Sequence, residues 1–414
     1  MIMRNFILLT IFFQLLISCK KDEPTVENND KNWKYAKSIE GFGFNGEITT
    51  DKDGFIYVAA PTDNNQISVG KFTNDGNLVW QKGYQRIDRT GIFTIITDDF
   101  GSIYISGGDK TNGNFILKLN STGDLVWEKS DLNKKGIYGS AIYISNNSLL
   151  HTGQIEEVGY FDTIKVVAEG AFLASYNLEG KVNWVKTYDD GILGTGTSVT
   201  SDKSGNILIG GLTDGLFYFK TNHLGNKIWE LKAPTNHLAD LTTKIAIDKN
   251  GNIYSIGIFS KSISFGSTTL IPDNSGFDIY ITKINFGGSF EWAKQIHTYA
   301  YNLDDHNVSV DEQGYIYIAG MAFKNLNYDG QDIYAGETQG SYIIKLDESG
   351  KLIWHDGTFY KSTFDGNGVI CDLTIDKNSD LIFLGNYEKG VSFGNELDLN
   401  TGKNAAFIAK RKRE

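Results

Sequence analysis

Cysteine and proline are scarce in this sequence, with 2 and 4 residues among 414. If the first cysteine, Cys19, carries a lipid, Cys371 has no partner, which excludes a disulfide framework. Cys371 follows Val369 and Ile370 in an apolar run, so we interpret it as a buried small side chain.

Positive charge is also in short supply, because 39 Lys and Arg against 50 Asp and Glu give a formal net charge of −11. No basic stripe is available to neutralise phosphates, which argues against nucleic acid as a partner. The basic run 410–413 is interpreted as a solvated end. The sequence also lacks a nucleophile elbow, a phosphate loop, a paired-cysteine metal motif and a dinucleotide fingerprint.

The apolar run 6–17 follows Arg4 and is too short to span a bilayer, which is typical of a signal-peptide core. It ends in Leu16-Ile17-Ser18-Cys19, which resembles the lipobox of bacterial lipoproteins. The resemblance implies cleavage before Cys19 and diacylglycerol on its sulfur. We therefore predict a signal peptide over 1–18 and a membrane partner through the lipid.

Residues 19–32 are polar after the cysteine and predict a lipidated flexible tether. The segment Lys20-Lys21-Asp22-Glu23 resembles the charged export signal of surface-displayed lipoproteins in some two-membrane bacteria. This implies an outer-membrane lipoprotein exposed at the cell surface. A plain linker would instead leave the protein at the inner leaflet of the outer membrane.

One motif, Gly-x-x-x-Trp, recurs along the chain at intervals of 45 to 63 residues. Its six copies end at Trp80, Trp127, Trp184, Trp229, Trp292 and Trp354. A repeat of about 40–50 residues with several short strands is typical of a propeller blade. We predict that each indole packs between adjacent blades.

A second motif, Asp-x-x-Gly followed by an apolar strand, precedes five of the six tryptophan units, as at Asp51, Asp98 and Asp202, and blade three has a degenerate copy with Asn147 in place of the glycine. It predicts a hairpin turn, because the carboxylate accepts backbone N–H groups and Gly supplies a positive φ. Calcium loops are the disfavoured alternative, since most turns offer only one or two acids. The lysine that ends the third strand in all blades except blade three, which has Ser175, is expected to be solvated or paired with a turn carboxylate, as at Lys71.

Counting strands fixes the number of blades. The first three strands of the unit occur seven times, whereas the tryptophan strand follows only six times within the chain. The missing strand is supplied by the segment around Trp33, so pairing it into the last blade removes an exposed sheet edge. We predict an all-β, seven-bladed β-propeller over 33–414.

The repeat Asp-x-x-Gly-Asn-Ile-Tyr…Gly-x-Leu-x-Trp resembles the seven-bladed β-propeller repeat family of bacterial secreted proteins over about residues 33–410. The resemblance implies an envelope location and no single activity. The piece 350–354 is also similar to quinoprotein-type propellers and to the outer-membrane-assembly lipoprotein, which have eight blades. The vicinal cysteine pair of many quinone enzymes is absent here, so no cofactor is expected.

Propeller sites usually lie on loops at one face of the ring. We predict long second-to-third-strand loops in blades three, five, six and seven, opening on the same face as the connections between blades. The candidate binding residues on that face are His237, Asp240, Asp304, Asp305, His306 and Asp365. A His beside two Asp can act as a general base, although a solvated loop is the favoured interpretation.

Aromatic residues near the same rim fit either ligand stacking or packing of the blade ends. They are Tyr299, Tyr301, Phe359, Tyr360 and Phe364. The function predicted first is a non-enzymatic binding or scaffold module for a protein or glycan. The alternatives are an envelope polysaccharide lyase or hydrolase with a site on the rim, and a partner in outer-membrane assembly.

Overall fold

The computed structural model describes residues 32–62, 64–85, 90–109, 113–130, 136–188, 194–235, 244–273, 276–298, 306–359, 368–393 and 397–414. Across these ranges the named elements are β-strands, here numbered β1 to β34 along the chain. No helix in the described part is long and apolar enough to cross a membrane.

The strands form seven antiparallel four-stranded blades, which confirms the predicted propeller. We call the strands of a blade A to D from the centre outwards. Strands A are β2 (Glu47–Thr50), β6 (Thr90–Thr97), β10 (Ile137–Ser145), β16 (Thr195–Ser201), β20 (Lys244–Ile247), β26 (His306–Val310) and β30 (Gly368–Ile375). Strands B are β3 (Ile56–Pro61), β7 (Ile103–Asp109), β11 (Ser148–Ile155), β17 (Ile207–Leu212), β21 (Ile253–Phe259), β27 (Ile316–Tyr328) and β31 (Leu381–Tyr387).

The outer half of each blade follows the same order. Strands C are β4 (Gln66–Phe72), β8 (Gly113–Leu119), β14 (Gly170–Asn177), β18 (Gly215–Thr221), β24 (Asp278–Ile284), β28 (Gln331–Leu346) and β34 (Ala405–Arg411). Strands D are β5 (Leu78–Gln85), β9 (Leu125–Lys129), β15 (Val182–Thr187), β19 (Lys227–Pro234), β25 (Phe290–His297), β29 (Leu352–Phe359) and β1 (Trp33–Ile39).

The ring closes on itself through the A strands. Each A strand contacts the A strand of the next blade, and β30 of blade seven contacts β2 of blade one. Strands B are almost wholly buried, as their continuous apolar sequences predict, because each blade lies between two others. Apolar side chains of strands B and C from neighbouring blades therefore form the core.

The N-terminal strand completes blade seven, as predicted. β1 runs antiparallel to β34, with Trp33 opposite Arg411 and Ile39 opposite Ala406. In the other blades the strand C lysine faces the tryptophan, as Lys71 faces Trp80, except in blade three, where Ser175 faces Trp184. In blade seven Lys410 faces Tyr35, so Tyr35 and not Trp33 holds the position of the repeated tryptophan.

The long second-to-third-strand segments differ from the predicted loops. Blades three, five and seven insert hairpins there, and blade six lengthens β27 and β28 instead. The hairpins are β12 (Val158–Phe161) with β13 (Ile164–Val167), β22 (Ile263–Phe265) with β23 (Thr268–Leu270), and β32 (Gly390–Phe393) with β33 (Leu397–Asn400). Each insertion lies against strand D of the preceding blade, so it straps two blades together.

Candidate binding site

The turn aspartates are engaged in hydrogen bonds within their own blades. Asp51 Oδ1 accepts the N–H groups of Asp53 and Phe55 at 3.0 and 2.9 Å, and its Oδ2 accepts the Tyr57 hydroxyl at 2.9 Å. Asp98, Asp248 and Asp311 repeat this arrangement. Burial and the nearby carboxylate raise the pKa of Tyr57 far above its usual value, so the hydroxyl stays a donor. These carboxylates therefore hold the hairpin and the next strand in place.

The strand C lysines are more buried than the sequence suggests. Lys220 and Lys410 lie 3.0 and 2.6 Å from the turn carboxylates of Asp202 and Asp376, which confirms the predicted pairing in blades four and seven. In other blades the ammonium lies over an aromatic ring, as Lys71 does 3.9 Å from the centre of Phe55. These cations are part of the packing between strands.

The repeated glycine and tryptophan meet across the boundary between blades. A Cβ on Gly123 would lie 2.8 Å from the Trp80 ring, and the same holds for Gly225 and Trp184. Trp80 Nε1 also donates to the carbonyl of Ser121 in the turn of blade two. The predicted packing of the indoles between blades is therefore confirmed.

The structure describes one of the six candidate binding residues predicted from the sequence. His306 begins β26 and is 3% exposed, and its Nδ1 lies 3.1 Å from the Tyr342 hydroxyl. Burial lowers its pKa to about 3, so the ring is neutral near pH 7. His237, Asp240, Asp304, Asp305 and Asp365 lie outside the described residues, as do Tyr299, Tyr301, Tyr360 and Phe364. For Phe359 only the backbone is described, at the end of β29.

A carboxylate is buried where blades seven and one meet near the centre of the ring. Asp372 accepts the N–H groups of Ile48 and Leu373 at 2.9 and 2.8 Å, and it hydrogen-bonds the Glu47 side chain. Burial raises the pKa of the Asp372 carboxyl, and the Lys244 ammonium opposes that shift. These hydrogen bonds hold blades seven and one together. Among the described residues no cluster of three His, Cys, Asp or Glu side chains is placed to hold a metal ion.

An open groove lies between the outer strands of blades seven and one. One cavity of about 420 Å³ is lined by Ile39 and Glu40 on the β1 side and by Leu78 on β5. A second of about 560 Å³ is lined by Ser68 and Gly83. Phe42 and Gln81 line both, so the two cavities are adjacent. We call this the blade-one groove.

Exposed apolar side chains recur on one face of the ring. The turns between strands A and B and between C and D meet there, since Asn74 Nδ2 donates to Asp376 and Lys377 Nζ donates to the carbonyl of Asp53. We call this the turn face. Beside its turns on blades one and two lie five exposed residues, here called the apolar rim: Leu78, Val79, Phe100, Leu125 and Val126. Leu224, Ile228 and Phe286 are exposed beside the turns of blades four and five.

Sequence reasoning placed the candidate site on the opposite face and missed this rim. The sequence feature that marks it is the Leu-Val pair directly before Trp80 and Trp127, whose composition is typical of a buried strand. Both pairs begin a D strand, and D is the outermost strand of a blade, so these side chains point away from the core.

The chain resembles solved propellers. BamB from Moraxella catarrhalis aligns with 91% of this chain and 98% of its own, at 13% identity and a TM-score of 0.45. The Pan2 WD40 domain of Neurospora crassa aligns with 92% and 96%, at 9% identity and a TM-score of 0.49. A protein of unknown function from Bacteroides caccae aligns with 68% and 81%, at 13% identity and a TM-score of 0.40.

These likenesses concern the fold alone. No protein-family model matches the chain, and no curated protein matches it.

Proposed function

We propose that this protein is a lipid-anchored propeller of the outer membrane that binds a partner protein through its apolar rim. Five large apolar side chains on blades one and two carry the proposal, with exposures from 49% for Val79 and Leu125 to 76% for Phe100. Single exposed apolar residues are ordinary on a soluble surface, whereas a group of them favours an interaction site.

The two Leu-Val pairs belong to neighbouring outer strands. Trp80 of β5 donates to the turn that precedes β9, and Lys82 of β5 lies 2.6 Å from Asp124 in that turn. Polar and charged groups therefore border the apolar side chains, as at a typical protein interface. The net charge of −11 favours a partner with a basic border.

The binding role is tested by the double substitution Leu125→Asp and Val126→Asp. A photo-crosslinking residue at Phe100 should give one discrete adduct in cells that make the protein, and the double substitution should abolish it. Val167→Asp is the control, since Val167 is 73% exposed on the blade-three hairpin. An adduct that survives the double substitution contradicts the proposal.

The anchor is tested at Cys19, which belongs to the lipobox-like segment. Cys19→Ser should leave the propeller folded but move it from the membrane fraction to the soluble fraction, because a chain of apolar CH₂ groups no longer enters the bilayer. Protease treatment of intact cells then separates surface display from the inner leaflet. Unchanged membrane association of the variant refutes lipidation.

A further inference from the structure

We propose that the blade-one groove is a docking site for an extended β-segment of a partner protein that carries a Phe or Tyr. The proposal concerns the outer edge of the ring. Of the apolar rim only Leu78 lines this groove, so the two proposals are tested at different residues. It starts from how insertions fill the equivalent grooves of blades three, five, six and seven.

The insertions of blades six and seven pair with the strand D of the blade before them. Tyr328 and Asn327 pair with Ile296 and His297 of β25. Phe393 and Ser392 pair with Thr358 and Phe359 of β29. In both cases the pairing begins four residues after the strand D tryptophan, Trp292 or Trp354.

Each insertion also buries one aromatic side chain in its groove. Phe161, Phe265, Tyr328 and Phe393 are each at most 2% exposed. Phe265 lies 5.1 Å from Tyr280 and 5.3 Å from Phe290, measured between ring centres, and Phe393 lies 4.9 Å from Trp33. The occupant of a groove is thus a short β-segment with an aromatic anchor.

Blade one, like blades two and four, has no such insertion, since only four residues separate Pro61 of β3 from Gln66 of β4. In β1, Tyr35 holds the tryptophan position, so the residues four and five positions later are Ile39 and Glu40. Both line the open cavity of about 420 Å³. The backbone positions that pair with insertions elsewhere therefore open onto the blade-one groove.

Phe42 is already buried against Phe72 in this groove, and the small side chains beside it leave room for a further aromatic residue. Ser68 pairs with Gly83, whereas the same pair in blade five is Tyr280 with Gln295. Gln81 Nε2 donates to the carbonyls of Glu40 and Gly41 and to Ser68 Oγ, so a flexible amide satisfies polar groups that a docked strand would satisfy. Addition of a strand to such an edge is an established mode of peptide recognition.

The probe is a synthetic peptide with the sequence of residues 158–167, and the control peptide carries Phe161→Ser. We expect the first to bind the mature propeller at least about tenfold more tightly than the control, by isothermal titration calorimetry. Amide exchange measured by NMR should slow at Ile39 and Glu40. Absence of binding at millimolar peptide, or protection elsewhere only, overturns the proposal.

Gly83→Tyr should fill the cavity and weaken peptide binding at least about tenfold. Its backbone is not in the left-handed region, and the new Cβ would meet only the flexible Gln66 side chain. Ser130→Tyr is the matched control, because Ser130 follows Trp127 by three residues, as Gly83 follows Trp80. Equal binding by both variants, or a neutral oligosaccharide that binds here while the peptide does not, overturns the proposal.

Grafting an insertion onto blade one gives an independent test of whether the groove accepts a β-segment. Residues 156–169 in place of residues 63–65 should provide blade one with an insertion of its own, because Ile155 faces Gly170 at the strand ends as Thr62 faces Gln66. We expect a higher melting temperature and loss of peptide binding. A folded graft that still binds the peptide with unchanged affinity contradicts the assignment.

Discussion

At the scale of single residues, the repeated glycine and tryptophan are two halves of one contact. Gly123 has φ +80°, and the indole of Trp80 lies where its Cβ would be. In the motif Gly-x-x-x-Trp, the glycine thus contacts the indole of the preceding blade, and the tryptophan contacts the glycine of the next blade. In blade seven Tyr35, and not Trp33, makes the contact that the tryptophan makes elsewhere. Its hydroxyl donates to the carbonyl of Asn74, just as Trp80 Nε1 donates to the carbonyl of Ser121.

We expect Gly123→Ala to lower the free energy of unfolding by about 2–4 kcal/mol, from left-handed backbone strain plus the clash with the indole. Gly101→Ala is the matched control, because Gly101 has φ +79° but a Cβ there would meet only Ser121 at 3.5 Å. It should lose only about 1–2 kcal/mol from the backbone. Urea unfolding checks both, and equal losses would show that the indole contact contributes nothing.

Two buried histidines make stability depend on pH. Burial lowers the pKa of His151, with a smaller contribution from Lys129, and that of His306 from the ordinary 6.5 to about 3 in each case. Within the described residues, His151 Nδ1 and His306 Nε2 have no hydrogen-bond partner. The unfolded chain therefore binds more protons below pH 6.5, so stability is full above that pH and falls towards pH 3.

At about pH 5 each histidine should lower the free energy of unfolding by about 2 kcal/mol relative to pH 7.5. His151→Phe should remove its share of this loss, because the ring already packs against Phe172 and Tyr176. Urea midpoints at the two pH values give the measurement. A variant with the same pH dependence as the wild type would place the titrating groups elsewhere.

At the scale of elements, the strand pattern of the blades could be predicted from sequence, but the insertions could not. Asp51 and Trp80 mark turns and strands by local chemistry, whereas the hairpin around Phe393 pairs with β29 of another blade, a contact distant in sequence. The expectation that Trp33 is the repeated tryptophan was also wrong, because strand register puts Tyr35 in that position. The ring of Trp33 instead contacts Phe383 and Phe393. The rim of the turn face was missed because Leu78 and Val79 have the composition of a core strand.

Phe393 should be the residue on which the blade-seven insertion depends. It is fully buried and lies 4.9 Å from Trp33 and 5.0 Å from Phe407 between ring centres. We expect Phe393→Ala to lower the free energy of unfolding by about 3–5 kcal/mol, as for other buried aromatic deletions. Tyr160→Ala on the blade-three hairpin, 45% exposed, should change it by less than about 0.5 kcal/mol. Comparable losses in denaturant titrations would contradict the strap.

At the scale of the whole molecule, the ring is closed by noncovalent contacts between the two ends of the described chain. Asp356 of blade six accepts from both Arg411 Nε at 2.8 Å and Trp33 Nε1 at 3.1 Å, and all three side chains are buried. Lys412 N–H donates to the Asn32 carbonyl at 2.9 Å. Closure was predictable because the strand count left one D strand missing. The interpretation of 410–413 as a solvated end was wrong for Lys410 and Arg411, which are buried in ion pairs.

If closure rests on pairing and not on chain order, moving β1 to the other end should preserve the fold. A circular permutant would start at Phe44, continue through Arg411, take the turn of residues 73–77, and finish with Trp33 to Gly43. The turn fits, because Phe72 and Leu78 hold the positions of Arg411 and Trp33. It also supplies the carbonyl that the other blades offer to the preceding tryptophan.

We expect the permutant to unfold within about 1 kcal/mol of the parent, since only short connections change. A chain that starts at Phe44 without the transplanted strand is the control. It should aggregate, because β34 becomes a bare sheet edge and the buried Asp356 and Arg411 lose Trp33. Urea unfolding and size-exclusion chromatography distinguish the two chains. A permutant as unstable as the control would mean that the covalent entry into blade one, and not the pairing of β1 with β34, holds the ring together.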